Sequence, residues 1–168
     1  MKTTVSKMLI IFILLSSVLN IGAAPAGQHQ WVKTPFTGVE GFAGMLDPGQ
    51  QYVKDGRFII EGMVEVTNDS MSDPRLCGVE TITINANLDA ATGIGPMWGT
   101  THIVTTTNGA WDTVWAGKLT GDGHAILYEW GWGQGGYKGL TFFMQGIRLP
   151  PYTPVSDFEV TGYIMEYR

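Results

Sequence analysis

Between residues 97 and 146 the chain reads MWGTTHIVTTTNGAWDTVWAGKLTGDGHAILYEWGWGQGGYKGLTFFMQG. No other stretch limits the fold so strongly. Short alternating segments are separated by the dipeptides Asn108-Gly109, Asp122-Gly123 and Gln134-Gly135. The first two are hairpin signals, because a two-residue type I′ turn needs positive φ at both central positions. Four consecutive antiparallel strands follow. A tight turn at Asn108-Gly109 sets His102 against Trp115 and Trp98 against Leu119. One at Asp122-Gly123 sets Trp115 against Trp130 and Gly117 against Tyr128. The weaker signal at Gln134-Gly135 sets Trp130 against Gly139 and Tyr128 against Thr141.

These registers gather one uncharged face. Trp98, Thr100, His102 and Val104 lie on it with Trp111, Thr113 and Trp115. Tyr128, Trp130, Trp132, Tyr137, Thr141 and Phe143 continue it. The opposite face carries Asp112, Lys118, Glu129 and Lys138. Burying unpaired charge is costly, so the aromatic face is expected to line the interior and the charged face to meet water. A large ring beside a glycine covers bare backbone and lets a sheet coil. Tyr128 beside Gly117 and Trp130 beside Gly139 fit that device.

Residues 1–26 read as a secretory signal peptide. Lys2 and Lys7 start it, an apolar run follows, and Gly22-Ala23-Ala24-Pro25-Ala26 ends it. A secreted or periplasmic protein is expected, with residues 27–168 forming a single domain. Without Lys2 and Lys7, eight basic residues face fifteen acidic ones, a net charge of −7. That balance argues against nucleic acid and anionic membranes as partners. Charged residues make up 15% of the chain, against a typical ~25%. The 23 glycines are about double the usual frequency. Such a composition suits a curved antiparallel sheet. A single cysteine, Cys77, excludes an intramolecular disulfide and reads as a small buried hydrophobe.

Residues 31–46 read as a bent first strand, and Asp47-Pro48-Gly49 and Asp55-Gly56 as turns. Residues 57–67 alternate, with Phe58, Ile60, Gly62, Val64 and Val66 expected inside and Glu61 and Glu65 outside. Residues 68–74 read as a polar loop containing the formal glycosylation sequon Asn68-Asp69-Ser70. In the strand at 78–88 either Val79, Thr81, Thr83, Asn85 and Asn87 or Glu80, Ile82, Ile84, Ala86 and Leu88 face inward. The prolines at 150, 151 and 154 make a rigid connection, and residues 158–167 close the chain. The fold class is therefore all-β: about eight antiparallel strands in a glycine-rich meander, closed into a small barrel that leaves no free edge. Eight strands leave an interior that side chains fill or that holds one small ligand.

Three segments resemble the glycine-punctuated strands of allene oxide cyclase and dirigent-like barrels. They are Gly95-Pro96-Met97-Trp98-Gly99-Thr100, the pattern Trp111-x-x-x-Trp115-x-Gly117, and Gly135-Gly136-Tyr137-Lys138-Gly139-Leu140. The resemblance implies an eight-stranded barrel with an apolar pocket, in families that guide cyclisation or coupling of hydrophobic substrates. None of those families' catalytic residues matches a position here.

The chain carries no nucleophile elbow, phosphate loop or paired-carboxylate spacing. His102 is the one ionisable residue placed on the aromatic face and the candidate acid or base, although a core histidine bonded to a threonine is the simpler reading. His29 and His124 fall elsewhere, so no metal and no cofactor is expected. Three functions compete. The first is binding of a small hydrophobic ligand by Trp98, Thr100, His102, Trp115, Tyr128, Trp130 and Thr141, with Asn85 or Asn87 contributing. The second is a cofactor-free cyclase or isomerase on the same barrel. The third is a glycan-binding sheet using exposed tryptophans. The first two require the aromatic face inside; the third requires part of it outside. A transmembrane barrel fits less well, since the uncharged face mixes tryptophan, glycine and threonine at mid-strand instead of an aliphatic band. A homo-oligomer is compatible with the sequence.

Overall fold

The structure, a computed structural model, describes residues 30–168. The segment read as a signal peptide, and His29, lie outside the described residues. Nine strands run in chain order: β1 (Trp31–Asp47), β2 (Gln50–Lys54), β3 (Arg57–Met71), β4 (Gly78–Asp89), β5 (Gly95–Thr105), β6 (Gly109–Leu119), β7 (Ala125–Gly135), β8 (Thr141–Arg148) and β9 (Phe158–Tyr167). A single 3-10 turn, Pro74–Leu76, joins β3 to β4. Every pairing is antiparallel, and β1 bonds to β9 along one edge and β3 along the other. Eight strands thus close into a barrel. The ninth, β2, continues the line of β1 along β3 past Asp47-Pro48-Gly49, and Asp55-Gly56 turns it back into β3.

The interior follows from three loops, each wider than a two-residue turn. Between β5 and β6 neither Asn108 nor Gly109 takes positive φ. Val104 faces Ala110, and His102 faces Asp112. Tertiary contacts decide this: the Asn108 carbonyl accepts from the Gly136 amide, and a Cβ on Gly109 would overlap the Tyr137 ring. Between β6 and β7 the Thr120 amide donates to the His124 carbonyl, and Gly123 has φ +83. That loop pairs Leu119 with Ala125, one residue away from the expected partner. Between β7 and β8 the chain folds through residues 136–140, and Trp132 faces Thr141. A shift of one or three residues moves a strand's whole side-chain set to the other face.

The expectation that the aromatic face lines the barrel is therefore corrected. Only β6 keeps its side, with Trp111, Thr113 and Trp115 buried. Trp98, Thr100, His102 and Val104 of β5 point outward, as do Tyr128, Trp130 and Trp132 of β7. Glu129, expected in water, is buried inside. In β3 the pairing with β4 slips between Ile60 and Met63, where Gly62 has φ +68. Beyond that bulge Glu65, Thr67 and Asp69 turn inward. The strand runs to Met71, so residues 68–71 are not a loop; residues 38–41 of β1 pair with them. In β4 the inward set is Glu80, Ile82, Ile84, Ala86 and Leu88.

One end of the barrel is solid. Phe36, Leu76, Ile103, Trp111, Tyr137, Phe142, Met144, Val160 and Ile164 form its core. The Trp111 indole stacks on Tyr137 at 5.2 Å and donates to the Arg75 carbonyl at 2.8 Å, which seals this end with the 3-10 turn. Rings do cover glycines, with other partners than expected: Phe142 lies over Gly131, and Phe36 over Gly162.

A candidate site at the carboxyl floor of the barrel cavity

The other half of the barrel holds a cavity of about 260 Å³. Its walls are mainly hydrocarbon: Phe42, Phe58, Ile82, Ile84, Leu127 and Phe158 are among them. A polar layer divides it from the solid core, and the strands show how. Along β1 Glu40 sits between Phe36 of the core and Phe42 of the cavity. In β5 Thr101 sits between Ile103 and Met97, and in β6 Thr113 between Trp111 and Trp115. Glu129 of β7 sits between Gly131 and Leu127. The same layer takes Thr67 and Asp69 from β3 and Glu80 from β4.

Glu40, Glu80 and Glu129 each offer a carboxylate oxygen within 4.8 Å of the other two. All three are buried, Glu129 at 2% exposure and Glu80 at 1%. Burial raises each carboxyl, and the charges of its neighbours raise Glu40 and Glu129 further. Asp69 is pushed up to about 10 by burial and then by the Glu80 charge. The Thr67 hydroxyl donates to Glu80 at 2.7 Å and meets Asp69 Oδ1 at 3.1 Å. With one proton to give, it cannot serve two carboxylates, a second reason for Asp69 to be protonated. Glu40 Oε1 and Trp115 Nε1 are buried without a hydrogen-bond partner. The Thr101 and Thr113 hydroxyls lie against Glu129, and Thr101 also against Glu80, and pull those carboxyls down against burial. Buried polar atoms are normally satisfied, so the bare Glu40 oxygen is open to a donor.

Near the outer end, Glu65 and Arg148 also line the cavity. Burial raises the Glu65 carboxyl against the pull of Arg148, and burial lowers the Arg148 guanidinium. Arg148 donates to the Gly123 carbonyl at 3.2 Å and lies over the Phe158 ring. The chemistry on offer is thus proton donation or acceptance, hydrogen bonding, or cation binding beneath an apolar wall. The carboxyl trio is also the one group among the described residues with metal-ligand spacing, where the sequence suggested none.

Of the residues proposed from sequence to bind a ligand, Trp115 lines this cavity. Trp98, Thr100, His102, Tyr128 and Trp130 lie on the outer face, and Thr141 is half-buried with an unpartnered hydroxyl. His102 pairs with Asp112 at 2.7 Å on the surface. Asn87 accepts from Arg57 and Asn85 from the Gly62 amide. Tyr128, Trp130 and Tyr163 all pack against Phe143, forming an exposed aromatic run across β7, β8 and β9. Sequence reasoning missed Glu40, Asp69, Glu80 and Glu129. No local signal marks them as a group: Glu129 reads as a solvated charge, Asp69 as part of a polar loop, Glu40 as one residue of a weakly patterned first strand, and Glu80 lies in a strand whose facing the sequence leaves open.

No protein-family model, curated protein or solved structure matches the chain.

Proposed function

We propose that this barrel binds a small hydrophobic molecule in its interior. The observation that carries the reading is the cavity of about 260 Å³ with hydrocarbon walls. An apolar cavity of about 150 Å³ accepts benzene, so this one has room for a larger guest. Titration with n-octanol, followed by calorimetry and by tryptophan fluorescence, tests it, since Trp115 lines the cavity. Saturable binding is expected, and Ile84→Trp, which fills the space, should abolish it. Absence of saturable binding by the unaltered chain sinks the reading. A cofactor-free cyclase or isomerase would use the same cavity, with a protonated carboxyl as its acid. Export is part of the proposal and rests on the order of residues 1–26; N-terminal sequencing of the exported protein should begin near Gly27.

A second reading, a glycan-binding sheet, is favoured by the outer aromatic run. Trp98, Tyr128, Trp130 and Trp132 are 45–49% exposed, and exposed rings offer stacking platforms. Oligosaccharide binding that Trp130→Ala removes, with octanol binding intact, would favour this reading over the first.

A further inference from the structure

We infer that the molecule held in the cavity is a hydrophobic amine, its ammonium group received by Glu40, Glu80 and Glu129 and its hydrocarbon part lying against Phe42, Ile82 and Leu127. The inference rests on the reading that the cavity binds a hydrophobic molecule, and it names the polar end of that molecule.

Charge favours an amine. Four acidic side chains from β1, β3, β4 and β7 meet in the polar layer, and among the described residues no lysine or histidine lines the cavity. The cation that does, Arg148, stands with Glu65 near the outer end. A negatively charged guest would find no cation at the floor to receive it and would oppose ionisation of the carboxyls there. A sugar would leave hydroxyls against hydrocarbon walls. A primary ammonium meets both halves of the site.

Hydrogen bonding at the floor favours a donor as well. Glu40 lines the cavity at 4% exposure, and its Oε1 is buried without a partner. The Thr101 hydroxyl sits against the Glu80 and Glu129 carboxyls and holds them down against burial. The bare Glu40 oxygen asks for a guest that donates. An ammonium has three donors. Three charge-assisted bonds of about 2.8 Å, spread tetrahedrally, place their acceptors about 4.6 Å apart. The three carboxylate oxygens lie within 4.8 Å of one another. A divalent cation could engage the same oxygens, but it gives no reason for the apolar walls above them.

An amine must displace protons held by the floor, so its binding should release protons and tighten as pH rises towards the amine's own pKa. The charged groups facing the site are Glu40 from β1, Glu65 and Asp69 from β3, Glu80 from β4, Glu129 from β7 and Arg148 from β8. The strands β5, β6 and β9 present Thr101, Trp115 and Phe158 to the cavity and no charge.

Calorimetry on the full chain near neutral pH, in two buffers of different ionisation heat, compares n-octylamine, n-octanol, n-octanoate and the chlorides of Mn²⁺, Ca²⁺ and Zn²⁺. Octylamine should bind at least about tenfold tighter than octanol, with protons passed to the buffer, and octanoate should bind most weakly. Glu129→Gln and Glu40→Gln, each nearly isosteric, should each lower the ratio of octylamine to octanol affinity about tenfold. Two variants keep the test open should one of them fail to fold. Equal affinity for octylamine and octanol overturns the inference and leaves the hydrophobic cavity standing. Failure of both ligands overturns the inference and the reading beneath it. Saturable divalent-cation binding, lost in Glu129→Gln and without amine preference, overturns it in favour of a metal centre.

Discussion

At the scale of single residues, exposure separates tryptophans that the sequence cannot tell apart. Trp111 is fully buried, stacks on Tyr137 and meets the edge of Phe142 at 5.1 Å. Trp130 is half-exposed and packs on Phe143 at 4.5 Å. Trp111→Ala should therefore cost about 3–5 kcal/mol in urea unfolding. Trp130→Ala should cost no more than about 1.5 kcal/mol, and Lys118→Ala almost nothing. If Trp130 proved the costlier of the two tryptophans, the interior would lie on the other face. His102→Gln removes an exposed pair with Asp112, and surface pairs of this kind contribute little. Its stability should match that of the unaltered chain, and so should octanol binding, because His102 does not reach the cavity.

At the scale of elements, the loops rather than the strands choose the faces. β6 was legible because its alternation of Trp111, Thr113 and Trp115 with Asp112, Val114 and Lys118 is clear in itself. Two-residue turns would put β5 and β7 on the opposite side, and the longer loops shift both by an odd number of residues and invert them. The strands also depend on glycines under rings. A Cβ on Gly131 would overlap the Phe142 ring, whereas one on Gly44 would meet nothing within 4 Å. Gly131→Ala should destabilise by about 1–3 kcal/mol, the usual cost of overpacking. Gly44→Ala should be neutral, or stabilising by up to about 1 kcal/mol through the unfolded chain. Chemical denaturation of the two variants side by side checks the contrast.

At the scale of the whole molecule, closing the barrel brings together carboxyls that are far apart in sequence. Each titrates higher in the folded chain than in the unfolded chain. Between the two values the folded state holds a proton that the unfolded state has lost. Stability is therefore fully present below the unfolded value and is lost as pH rises towards the folded one. For Asp69 that window runs from 3.8 to about 10. The slope is at most about 1.4 kcal/mol per pH unit for each carboxyl. Thermal unfolding should thus show a higher midpoint near pH 5 than near pH 8, contrary to ordinary acid destabilisation. Glu129→Gln should flatten the profile. A profile that rises with pH over this range would mean that the floor is ionised.

Antiparallel strands closed into a barrel are legible in the chain alone. Alternation with period two and turn-forming dipeptides are local properties, and a meander of this size removes its edges by closing. Which side of β3, β5, β7 and β8 faces inward depends on contacts between distant segments. That choice turns on a bulge at Gly62 and on loops shaped by partners such as Tyr137 and Asn108. Such contacts also make the candidate site. Glu40, Asp69, Glu80 and Glu129 become one group because four separate strands set them at the same height of a closed barrel, and no stretch of sequence records that height.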